Sequence, residues 1–278
     1  DVTTRLDAER DRLRERLRVA PAIALDAQFV AFPFDSWPEL RGGLAALART
    51  GGDPQRAASQ QEAQIVAFLA RAFPTAPDRE WARVFGEALD DEYQRYYHAH
   101  WLAEQRSRSA ALAAADSIWQ ATTARLGSLL AGTQQRAGTL LLSLPLGGEG
   151  RTTGTGRDAL VAVTFPATRA DAAQATYVGV HELVGTLVNQ AVSDHVTPAE
   201  QRSGVAARLV SAGQVRAGLL ALQRSAPALV PGYAAFYLRE AGRPATGDPV
   251  RALEAAFPLP QPIVAAIARA LEGAASGI

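Results

Sequence analysis

His181 and Glu182 stand side by side in "YVGVHELVGTLVNQ", residues 177–190, a run that is otherwise largely apolar. The pattern reads as a buried helix. An imidazole beside a carboxylate in such a wall can hold a metal through a ring nitrogen, with the carboxylate moving a proton nearby. Alternatively the two groups form a satisfied structural pair, because burying either without a partner is costly. A helix supplies two metal ligands when histidines stand at i and i+4, on one face about one turn apart. Here the i+4 position is Gly185, which has no side chain to offer.

The residues "HELVG" resemble the zincin metallopeptidases, in particular the gluzincin branch, whose HExxH pattern is followed by a glutamate ligand on a later helix. The resemblance makes His181 the first zinc ligand and Glu182 the general base. It makes Glu240, in "GYAAFYLREAG" 59 residues after His181, the later ligand. Tyr233, Tyr237 and Glu240 share a face of that helix, and Tyr233 or Tyr237 would serve as oxyanion donors. Zincins also carry, just before the active-site helix, a sheet whose edge strand binds extended peptide. Here "LVAVTFP" precedes the His181 helix by one short connection. The implied cofactor is zinc, and the implied substrate or ligand is a peptide or protein. The resemblance covers roughly residues 138–242.

Gly185 is the departure from the pattern. Two protein ligands hold zinc weakly compared with three plus water, so low zinc occupancy and weakened or lapsed peptide-bond hydrolysis are expected. A non-catalytic helical protein that binds a peptide or protein partner is the alternative. His195 is the first substitute ligand to weigh. On a continuous helix it lies ~21 Å beyond His181, so it reaches the same metal only if the chain turns back near Ser193. Otherwise it interacts with the helix end. His98 and His100 are two apart and diverge by ~200° on a helix, so they do not pair on one metal.

The elements that must position these residues can be read from periodicity. "DVTTRLDAERDRLRERLR" carries Leu6, Leu13 and Leu17 at helical spacing. "DSWPELRGGLAALART" opens with an Asp/Ser cap signal, and Trp81, Phe85, Leu89 and Tyr93 mark one long helix or two in line. Two apolar runs of strand length, 138–146 and 158–166, flank the glycine-rich "GGEGRTTGTGR", which reads as a loop. An antiparallel hairpin is the expected pairing. That stretch lacks a Gly-Lys-Ser/Thr and a following helix, so it is no phosphate loop. Helices then resume to the C-terminus. The expected fold is α+β, mostly helical and zincin-like, with a small sheet next to the active-site-type helix. Its parts are an N-terminal helical region, 1–137, and a zincin-like region, 138–278.

Composition narrows the function classes. The 28 basic and 28 acidic residues cancel, which leaves no global field for nucleic acid or an anionic membrane. Every basic residue is arginine, a sign of coding bias more than of arginine chemistry. With no cysteine there is no disulfide, thiolate site or cysteine nucleophile. No apolar run is long enough to suggest a membrane span. The first residue is not methionine, and a removed signal peptide would make the location periplasmic or secreted.

Overall fold

The computed structural model describes residues 4–31, 33–130, 139–144, 146, 150–153, 160–244 and 247–276. The chain forms two compact units, Asp1–Ser107 and Arg108–Ile278. The division falls one helix earlier than the sequence suggests.

The first unit is helical: α1 (Arg5–Val19), α2 (Ala22–Phe29), α3 (Trp37–Thr50), α4 (Gln60–Ala72), α5 (Ala76–Glu92) and α6 (His98–Ser107). A π-helical turn, Tyr93–Tyr97, joins α5 to α6 in line. The cap signal at α3 works as its chemistry demands, with the Ser36 side chain accepting from the Glu39 backbone N–H. α1 lies antiparallel to α5. The Arg5 backbone N–H donates to Asp91 at 2.7 Å near one end, and Arg16 pairs with Asp78 near the other. Leu13, Leu47, Leu69, Phe73, Trp81 and Val84 share the core.

Asp78 has two roles, closing the capping box of α5 with Thr75 and pairing with Arg16 while its own side chain is buried. Burial works to raise its pKa. The Thr75 hydroxyl, the Arg16 guanidinium and the Thr75 backbone N–H outweigh burial and leave the carboxyl below its ordinary range. A carboxyl depressed in the folded state stabilises the fold above its unfolded value and loses that contribution as pH falls through the folded value. The first unit should therefore weaken once pH drops below about 3.9. Thermal melts taken down to about pH 2 should show Asp78→Asn less stable at neutral pH and less acid-sensitive than the parent. Parallel acid profiles for the two proteins would contradict this assignment.

The second unit comprises α7 (Ser109–Leu130), β1 (Thr139–Ser143), β2 (Arg151–Thr153), β3 (Leu160–Thr164), α8 (Ala172–Leu183), α9 (Gly185–Ser193), α10 (Pro198–Arg202), α11 (Val205–Ser225), α12 (Val230–Glu240), α13 (Pro249–Ala256) and α14 (Gln261–Ser276). α7 belongs here because it packs on α8 and α14.

The sheet corrects two expectations. Its order is β1-β3-β2. β1 and β3 pair parallel, with Leu141 opposite Ala162, and do not form the antiparallel hairpin. Part of the expected loop is strand β2, antiparallel to β3 with Thr152 opposite Val161. The rest of that loop, 147–149 and 154–157, lies outside the described residues. The reversal is topological: β2 turns the chain once and β3 turns it again, so β3 returns along β1. Val161, Ala162 and Val163 are all buried, as suits a central strand covered on both faces.

α11 is the one described helix long and apolar enough, by length and composition alone, to cross a membrane. In this fold it is the hub of the second unit, packing on α7, α8, α9, α12 and α14. Val215, Ala217, Leu219, Ala221 and Leu222 are buried on it.

Candidate functional site

α8 presents buried side chains on nearly every face, and His181, 5% exposed, is among them. The helix is not continuous to the end of the motif. Val184, at φ −86° and ψ −4°, interrupts it, and α9 restarts at Gly185. The step from His181 to Gly185 therefore crosses a local break in the helix.

The His-Glu pair finds its partners within the second unit. Nδ1 of His181 lies 3.3 Å from Oε1 of Glu182. A carboxylate oxygen accepts, so the N–H of this contact is the one on Nδ1. The Thr152 hydroxyl, from β2, donates to Oε2 of Glu182 at 2.8 Å. The face of the His181 ring stacks on Tyr237 of α12, centroids 5.3 Å apart and planes 24° apart. Glu182 is thus held by His181 and by the edge strand, and the His181 ring is held by Glu182 through Nδ1 and by stacking on Tyr237.

The tyrosines of α12 belong to the same aromatic cluster. Tyr233 has no solvent exposure, and its hydroxyl donates to the Val215 carbonyl at 3.0 Å. Burial pushes its phenol well above the ordinary tyrosine range. Its hydroxyl is thereby committed inside the core. Tyr233 and Tyr237 are 4.7 Å apart, and Tyr177 of α8 meets Tyr233 edge-on.

Glu240 is 39% exposed beside Arg239. It lines a small cavity of about 110 Å³ with Gln174 and Val178, which precede His181 on α8. His195 Nδ1 donates to the Ala191 carbonyl at 2.8 Å, the helix-end role. Among the described residues no group of three or more His, Asp or Glu side chains is placed to hold a metal ion. His181, Glu240 and His195 therefore do not make a three-ligand zinc set, and among the described residues the donors do not fit a resident catalytic zinc.

Gly185 faces Gln214 of α11. A Cβ built at position 185 would come within 2.9 Å of the Gln214 amide nitrogen. The place where a second histidine would start is thus occupied by an amide from another helix.

No family model matches the chain, and no curated protein or solved structure matches it. Function must therefore be argued from the site itself.

Thr152 and Gln214 are the residues the linear reading missed. Two adjacent β-branched threonines inside the glycine-rich stretch were the available signal for β2. Gln214 carried no comparable signal, being one amide on a helix remote in sequence.

Proposed function

We propose that the second unit is a zincin-like scaffold of the gluzincin type whose hydrolytic centre has lapsed, and that it binds an extended peptide along the edge of β2. The observation that carries this reading is the Thr152–Glu182 hydrogen bond, which ties an edge strand to the general-base position of the His-Glu helix. The strand that precedes α8, β3, is central in the sheet and so cannot take a peptide as the "LVAVTFP" resemblance implied; the antiparallel edge that a zincin-type peptide cleft requires is supplied by β2. Among the described residues β2 pairs on one side only, so its outer backbone groups are open to strand addition. What argues against retained hydrolysis is the donor set: Gly185 contributes nothing, and Gln214 fills the space beside it.

The test combines metal content with peptide binding. Protein purified without chelator should carry well under one zinc per chain and should leave casein uncut, yet a fluorescent casein peptide should bind it with a measurable rise in anisotropy. Thr152→Pro removes a backbone donor from the edge strand and should abolish that rise. Stoichiometric zinc with proteolysis would overturn the lapsed-site reading, and an unchanged anisotropy in Thr152→Pro would overturn the edge-strand reading.

A related prediction concerns Gly185→His. The new ring must displace the Gln214 amide, so the single variant should show no zinc-dependent rise in melting temperature and should lose about 1 kcal/mol through overpacking. Adding Gln214→Ala should recover that loss and permit a zinc-dependent rise. A zinc response in the single variant, equal to that of the double, would show that Gln214 does not block the site.

A further inference from the structure

A cavity of about 510 Å³ lies between α1 and α5 of the first unit, within the ~300–1,000 Å³ typical of small-molecule sites. Its wall is hydrocarbon, supplied by Leu6, Leu13 and Leu17 of α1 and by Trp81 and Phe85 of α5. The centroids of the two aromatic rings are 4.7 Å apart, with planes 21° from parallel. The one polar atom of Trp81, Nε1, is spent on the Leu13 carbonyl at 3.1 Å. From Leu6 to Leu17 the wall runs roughly 16 Å along α1, so the cavity is elongated.

Charge sits at its rim and differs between its two ends. Arg10 pairs with Asp7. Arg14 also lines the cavity, and among the described residues no ion pair or hydrogen bond occupies its guanidinium. Glu92 lines the opposite end, because α1 runs antiparallel to α5 and the start of α1 meets Asp91.

We propose that this cavity binds an amphiphile that lays a hydrocarbon chain along the Leu6–Leu17 wall and places a single carboxylate on Arg14. The planar guanidinium matches a carboxylate through two parallel hydrogen bonds. Glu92 repels an anion at the far end and so sets the direction of the chain. The site is separate from the His-Glu centre and stands without it.

The experiment is calorimetric titration of the full chain with dodecanoate, kept below its micelle threshold. One dodecanoate should bind per chain, and dodecanol and dodecyltrimethylammonium should bind about tenfold more weakly or not at all. Arg14 is exposed and holds no other element in place, so Arg14→Glu and Arg14→Ala should fold, as circular dichroism melts would verify. Both should lower dodecanoate affinity about tenfold or more. Unsaturable uptake, equal binding of dodecanol, or unchanged affinity in both Arg14 variants would each overturn the proposal. So would a self-associated dimer that covers the cavity and resists dodecanoate.

Discussion

Replacing Tyr237 by alanine is expected to destabilise the second unit by about 3–5 kcal/mol, the range for emptying a buried aromatic site. Tyr237 is 4% exposed. Its ring contacts His181, Tyr233 and Phe236, so truncation removes one surface shared by three rings. These rings sit on α8 and α12, which have little means of collapsing into the void without moving α11. Melting temperature should fall by roughly 2–4 °C for each kcal/mol in a unit of this size. Tyr237→Phe keeps the ring and should retain most of the stability. A loss below about 1 kcal/mol for Tyr237→Ala would mean that the ring is not a packing element. It would return Tyr237 to consideration as a group held for chemistry.

Gly218→Ala is expected to cost about 2–4 kcal/mol, from overpacking together with disturbance of a buried hydrogen bond. The direction is informative, because the same change at an open mid-helix position stabilises by about 1 kcal/mol. At Gly218 a Cβ would overlap the Tyr233 hydroxyl and lie 2.9 Å from Cζ of that ring. Tyr233 has no room to yield, being wholly buried with its hydroxyl on the Val215 carbonyl. α11 therefore approaches α12 at a separation that only glycine permits. Tyr233→Phe removes the overlapping oxygen, so the double variant should be less destabilised than the sum of the two single changes. Chemical denaturation of all four proteins measures the coupling, and strict additivity would disprove the contact.

Much of the helical framework was legible because helices are specified locally. Ser36 and Glu39 are close enough in sequence for a cap to be read directly. Leu6, Leu13 and Leu17 face one way by spacing alone, and they line one wall beside α5. The small sheet beside α8 was also foreseen, since the apolar runs at β1 and β3 have strand length.

For the site, the sequence by itself determined that His181 and Glu182 lie in a buried helix and must have partners, because apolar surroundings penalise unpaired polar groups. Who those partners are was decided only by tertiary structure. Thr152 reaches Glu182 across 30 residues, on a strand whose direction depends on two reversals rather than on its own residues. Gln214 enters beside Gly185 from α11, and Tyr237 covers His181 from α12. The break at Val184 likewise lies inside a run whose periodicity reads as continuous. The physical reason is the range of the interactions. Helix hydrogen bonds and caps join residues three or four apart, so their signal sits within a short window, whereas strand pairing and core packing join segments whose proximity exists only once the chain has folded.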